Sequence, residues 1–199
     1  MYSEDDKVIS RNVLLAVLVN GTISVILHAA VITVDDDGPA DFSTIQEAVD
    51  WSWHGDTVVV SVGTYNESIV FNSRAITLTS LNPNDPNTVA ATIIVASSDY
   101  SVTFDFHEGL DSVLTGFTIT GGGIECIATS PTIRKNIIHD CANVGIEGSF
   151  GAAPDLLENS VINNGGQGIL GCSGQIHGNI ISNNNDSGLS DCDGLISFN

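Results

Sequence analysis

Basic side chains are nearly missing from this chain. Its 199 residues carry 5 Lys and Arg against 24 Asp and Glu, a formal net charge of −19. Lys7, Arg11, Arg74, Arg134 and Lys135 are too few and too scattered to track a phosphate backbone or an anionic bilayer, so neither nucleic acid nor a membrane surface is expected as a partner. Aromatic residues make up 6%, too little for a long sugar-stacking platform. Cys126, Cys141, Cys172 and Cys192 all lie in the second half and form no CxxC pair, which argues against a structural zinc site. A chain of this size also needs no disulfide framework. Disorder is excluded by 42% hydrophobic residues and a mean hydropathy of +0.22. What is abundant is glycine, 20 residues of it, with many Asn, Ser and Thr, a mixture suited to short strands joined by tight turns.

The first 30 residues read as a segment apart. Lys7 and Arg11 precede an uncharged stretch from Asn12 to Val34, apolar from Val13 to Val19, with small residues at Ala29 and Ala30. This pattern predicts a secretory signal peptide over residues 1–30, cleaved near Ala29–Ala30, and places the mature protein outside the cell or in its envelope. An uncleaved membrane anchor is the competing reading, weakened by Asn20, Gly21, Thr22 and Ser24 within the run.

Residues 31–199 are predicted to be all-β except for one short helix over 43–51. Ser43 or Thr44 is its expected cap, Gln46 or Glu47 closes a capping box, and Ile45, Ala48 and Val49 share one face. β-Branched runs follow at 57–62, 68–71, 75–79, 92–95 and 101–106, punctuated by turn signals such as Asn82-Pro83-Asn84-Asp85-Pro86-Asn87.

The second half then repeats itself. From Pro131, Pro154, Gly174 and Gly194, spaced 23, 20 and 20 residues apart, the same types recur in register. Ile133, Leu156, Ile176 and Ile196 match, as do Asn136, Asn159, Asn179 and Asn199, then Ile138, Val161 and Ile181. Gly145, Gly168 and Gly188 match too, as do Ser149, Cys172 and Cys192; the three extra residues of the first copy fall near 150–153. A period of about 20–25 residues with three short apolar strands per copy is that of a solenoid, here a parallel β-helix of seven or eight coils. The apolar positions should form inward ladders about 4.8 Å apart, the asparagines a stacked amide ladder, and the glycines turns with φ > 0. Cys172 and Cys192 should lie one above the other as reduced, space-filling thiols, because in-register strands aim both Cβ atoms the same way.

Specific stretches carry a family resemblance. Val34-Asp35-Asp36-Asp37-Gly38, Asp41-Phe42-Ser43-Thr44-Ile45-Gln46-Glu47-Ala48-Val49, Gly55-Asp56-Thr57-Val58-Val59-Val60 and Gly63-Thr64-Tyr65-Asn66-Glu67 resemble the opening of pectin lyase-like right-handed β-helix proteins, an opening that pectinesterases share. Leu114-Thr115-Gly116-Phe117-Thr118-Ile119-Thr120-Gly121-Gly122 and the Asn-Xaa-Ile/Val repeats resemble the right-handed β-helix repeats of exported bacterial proteins. The resemblance implies a right-handed parallel β-helix over residues 31–199, its N-terminal end plugged by the helix. It implies no single activity, because the scaffold hosts lyases, esterases, epimerases and non-enzymes.

Motifs for those activities are sparse. The pectinesterase segments after Glu67 are missing, and Gln167 and Gln175 stand in turns. Arg74, Arg134 and Lys135 are the only cations of the mature chain, so a lyase base has few candidates, and a polyanionic substrate would be repelled. Asp105-Phe106-His107-Glu108 resembles the Asp-Pro-His signature of alginate epimerases and lyases but lacks its proline, and His139 and His177 occupy different repeat positions. Tyr65, Tyr100, Trp51 and Trp53 are the aromatics that could stack on sugars, Trp51 being expected under the cap instead. No catalytic or cofactor-binding residue is assigned. Oxygen ligands for calcium, the one cofactor considered, cluster at Asp35, Asp36 and Asp37 and at Asp186, Asp191 and Asp193.

The leading expectation is an exported β-helix module for surface display, adhesion or glycan contact, with a polysaccharide or cell-surface partner. The alternative is a carbohydrate-active enzyme, a polysaccharide lyase or epimerase. Since the chain stops at Phe198-Asn199 just past a strand of a new coil, either more chain or another subunit is expected to cover that edge.

Overall fold

The computed structural model describes residues 13–19, 22–27, 29–96 and 98–197. From residue 31 onward the chain winds into a parallel β-helix of eight coils. One eight-stranded sheet runs from Val31–Val34 to Ile196–Ser197, and two six-stranded sheets run from Gly63–Tyr65 to Ile180–Ser182 and from Ile69–Val70 to Leu189–Ser190. Every pairing in these sheets is parallel; Ile133, Leu156, Ile176 and Ile196 stand opposite one another in successive strands.

Alternation explains which residues enter the interior. Successive strand residues face opposite ways, so the middle residue of each short strand points inward. Ile32, Val58, Leu78, Leu114, Ile133, Leu156 and Ile176 line the first sheet's inner face; Ile94, Ile119, Ile138 and Val161 line the second, and Val102, Ile124, Ile146 and Ile169 the third, all buried. Each such side chain contributes about 1.5–3 kcal/mol by leaving water. Phe71 and Phe104, their rings tilted by 33° with centroids 4.2 Å apart, are both fully buried in the core of the early coils.

The N-terminal helix spans Ile45–Trp51 and buries Ile45, Ala48 and Val49 against the first coils, as its spacing predicts. Its cap differs from the expected one. Thr44 makes no side-chain cap bond; instead the Glu67 carboxylate accepts from Ile45 N and Gln46 N, both at 2.9 Å. A full charge on two helix-terminal N–H groups outcompetes a hydroxyl on one. Gln46 in turn accepts from Val70 N at 2.8 Å and donates to Val70 O at 3.2 Å, closing the open edge of the third sheet.

Three other expectations are corrected. A second helix, Pro86–Ala91, stands where only turns were read, started by Asp85, which accepts from Asn87 N and from Thr88 Oγ1. Six residues are too few to show a helical period, although Asp followed by Pro is a start signal. Gly145, Gly168 and Gly188 do not adopt positive φ. A Cβ on Gly145 would lie 2.7 Å from Gly168 O and one on Gly168 2.7 Å from Gly188 O, so close stacking, not turn geometry, selects glycine there. Ser149 is not the counterpart of Cys172 either: Ser173 N bonds Ala152 O, so the buried Ala152 occupies that place while Phe150 loops into solvent.

The first ladder of corner amides forms as expected for Asn136, Asn159 and Asn179, whereas Asn199 lies outside the described residues. Asn159 Oδ1 accepts from both the backbone N–H (3.0 Å) and the side-chain amide (3.1 Å) of Asn136, and Asn179 Oδ1 does the same for Asn159. Each amide also donates down to a carbonyl, Leu114 O, Ile133 O or Leu156 O. A second ladder at the next corner was not anticipated: Asn184 Oδ1 accepts from Asn164, and Asn164 Oδ1 from the backbone N–H of Cys141.

The segment read as a signal peptide contains two strands, Val13–Val19 and Thr22–Leu27, paired antiparallel and separate from the coil sheets. No helix among the described residues is long and apolar enough to cross a membrane. Residues 1–12, Asn20, Gly21 and His28, part of that reading, lie outside the described residues.

Asn159→Ala tests the ladder. It leaves the buried backbone N–H of Asn136 without its acceptor, and should cost about 1–3 kcal/mol, the range for one buried unsatisfied group, measured by urea unfolding.

Candidate functional site

A hollow of about 210 Å³ lies on the outer face of the second sheet. Its floor is an outward column in which Ile137, Ser160 and Ile180 stand opposite one another on successive strands. One wall is the excursion carrying Pro83, Asn84, Pro86 and Val89, pinned to the coil by Thr118 Oγ1 donating to Val89 O at 2.9 Å. Lys135 and Glu158 form the opposite rim. Lys135 Nζ donates to Asn84 Oδ1 at 2.6 Å and lies 3.9 Å from Glu158 Oε2. Gly178 follows them at the same corner and leaves Ile180 65% exposed at the far end. The hollow thus combines an apolar floor with amide, carboxylate and ammonium groups at its edge.

A second cluster lies on the third sheet's outer face. Glu125 and Glu147 stand directly opposite one another on adjacent strands, and Tyr100 donates its hydroxyl to Glu147 Oε2 at 2.5 Å. Burial pushes the Glu125 carboxyl above its ordinary 4.5, with Glu147, Asp105 and Asp99 adding repulsion. Burial and the bond to Glu147 also hold the Tyr100 phenol well above its usual range. Neither glutamate was singled out in the sequence, although the strand register pairs them; the copy that would have shown the column carries Leu170 instead.

The residues expected to act fall in several places. The carboxylates of Asp35, Asp36 and Asp37 come within 4.8 Å of one another, while Asp35 Oδ1 accepts from Asp37 N and Gly38 N. Among the described residues no such group includes Asp186, Asp191 or Asp193. Asp186 accepts from Gln167 Nε2 and Ser187 N, and Asp191 occupies a left-handed turn. His107 is exposed in a loop at φ 64, His139 contacts Asp140 at 2.7 Å, and His177 contacts Ser197 Oγ, so the histidines do not converge. Arg74 donates to Ser52 O, and Arg134 is exposed on the first sheet. Of the aromatics, Tyr65 is buried and bonded to Ser61 O, with its phenol pushed up to about 12 by burial and then by Asp36, which removes it as a sugar platform. Trp51 packs on Phe42, and Trp53 is exposed.

All four cysteines are free thiols, with Cys126, Cys141 and Cys172 buried and Cys192 half-buried. Burial pushes the Cys141 thiol up to about 12, and also raises Cys126 and Cys172.

Residues 64–195 match the family model described as right handed beta helix region. No curated protein and no solved structure matches the chain.

Glu125→Gln should raise the melting temperature at neutral pH and flatten its dependence in mild acid. Because folding raises the Glu125 pKa, the charged form is the destabilising one, so wild-type stability falls as the pH climbs above 4.5 through the folded value. Native-state alkylation should label Cys192 before the other three, since attack needs an accessible thiolate; mass mapping of the labelled peptides reads the order.

Proposed function

We propose, from the premise that the chain belongs to the right-handed β-helix family, that it is an exported, non-catalytic module that contacts a neutral glycan in the second-sheet hollow. The hollow itself carries this reading. Its floor rises one residue per coil, about 4.8 Å each, and offers apolar faces for sugar C–H groups, while Asn84, Lys135, Glu158 and Ser160 supply donors and acceptors for hydroxyls. The charge of −19 supports a neutral ligand over an acidic one. Export, to the medium or the cell envelope, rests on the N-terminal uncharged run, and a polysaccharide or cell-surface partner follows from it. Calcium at Asp35, Asp36 and Asp37 stays an accessory proposal, supported by the closeness of the three carboxylates.

A carbohydrate-active enzyme, a lyase or epimerase, is the second reading, favoured by Tyr100 with the Glu125–Glu147 pair. These groups can move protons, but the neighbours that act on Glu125 are all acidic, which suits a substrate without negative charge.

A glycan array probed with the full protein separates the two. Binding of neutral oligosaccharides that is lost in Ile180→Asp, with the melting temperature unchanged, supports the module. Retention of binding in that variant, or an array on which nothing binds, sinks it. Cleavage or epimerisation that disappears in Glu147→Gln would establish the enzyme.

A further inference from the structure

The rim of the hollow holds three groups in an arrangement that can make a bond. Lys135 Nζ lies 2.6 Å from Asn84 Oδ1, one bond from the amide carbon, and Glu158 Oε2 lies 3.9 Å from the same nitrogen. The Lys135 side chain is 33% exposed, its stem packed in a hollow whose other lining includes Pro83, Pro86, Val89, Ile137 and Ile180. Lys135 and Asn84 are 51 residues apart, so nothing in local chain geometry obliges them to meet. Lys135 and Glu158 also both occupy the left-handed region, φ 55 and 56, where the same corner has Gly116 and Gly178 in the flanking coils. A lysine and a glutamate are unfavourable choices there, and their side chains are what those positions add.

We propose that Lys135 and Asn84 form an intramolecular isopeptide bond, with Glu158 as the proton carrier. The Glu158 carboxylate takes a proton from the Lys135 ammonium. The freed amine attacks Asn84 Cγ, giving a tetrahedral carbon that holds both nitrogens. Glu158 then returns a proton to the former amide nitrogen, which leaves as ammonia, and the Glu158 carboxylate takes the remaining extra proton from the attacking nitrogen as the C–N double-bond character is restored; that proton leaves with the ammonia as ammonium. One C–N bond forms, one breaks, and no oxidant or further reactant is needed. Holding the Lys135 nitrogen within hydrogen-bond distance of the Asn84 amide oxygen replaces a bimolecular encounter, an effect that reaches about 10⁵–10⁸ M of added reactant in well-oriented intramolecular reactions. The product ties the excursion around residues 82–91 to a corner two coils further along the axis, so that peeling the stack apart would require breaking a covalent bond. It stands whether or not the hollow holds a glycan.

Peptide mapping of the folded full-length protein decides it. The expected result is a branched peptide joining Asn84 to Lys135, lighter than its two parts by about 17 Da, the mass of one ammonia. A branched product also separates this loss from cyclisation at Asn164-Gly165, which would shed the same mass without joining two peptides. Lys135→Arg and Asn84→Ala should each abolish the branch. Glu158→Gln should leave the two peptides unjoined in a chain that still melts cooperatively, a result that a merely structural glutamate would not produce. Wild-type peptides at full mass, with Lys135 open to acetylation by an added reagent, would overturn the proposal.

Discussion

An amide can be buried at a corner only if all its donors and its acceptor find partners, and stacking in register is what provides them. Asn159 illustrates the constraint: its oxygen serves the coil before it, and its nitrogen serves Ile133 O and the oxygen of Asn179 in the coil after it. A slip of one residue between coils would leave these groups unpaired, at about 1–3 kcal/mol each, and would turn the apolar ladders outward at the same time. The two asparagine ladders therefore specify register at two corners, while the apolar columns supply the driving force. Neither suffices alone. Apolar contact is non-directional and fixes no one-to-one pairing between coils, and an amide ladder without a core has no reason to leave water.

The parts legible from residue types are those that repeat. Ile133, Leu156 and Ile176 recur at one phase and are buried; Asn136, Asn159 and Asn179 recur at another and bond in sequence. Where copies differ in length, counting fails: the longer copy moved the counterpart of Cys172 from Ser149 to Ala152, because the extra residues enter at Phe150. Glycine can also recur for different reasons at different positions of the repeat. Gly116 and Gly178 take positive φ, whereas Gly145 and Gly168 yield room to the backbone above, and composition cannot distinguish the two.

Function was less legible because it does not repeat. The hollow depends on an excursion that occurs in one coil and on a floor whose members, Ile137, Ser160 and Ile180, are chemically unlike. The Glu125–Glu147 pair spans only two coils, with Thr103 before it and Leu170 after it. A site of one or two coils has no period to reveal it, and its members lie about twenty residues apart in the chain.

The corners show how such sites are made without disturbing the scaffold. At the second corner the left-handed positions are Gly121, Asp140, Asn163 and Asn183, the types that adopt this conformation most easily. At the first corner they are Gly116, Lys135, Glu158 and Gly178. The backbone demand is the same at both, so it cannot account for the long charged side chains in the middle of the first. Non-glycine residues there cost roughly 1–2 kcal/mol in the left-handed region, an amount comparable to a good corner hydrogen bond. The two coils that carry this cost are those whose corner faces Asn84 across the hollow, and the flanking coils revert to glycine. At this corner the non-glycine residues thus stand where a long side chain reaches the outer face, and the interior ladder runs beneath them unchanged.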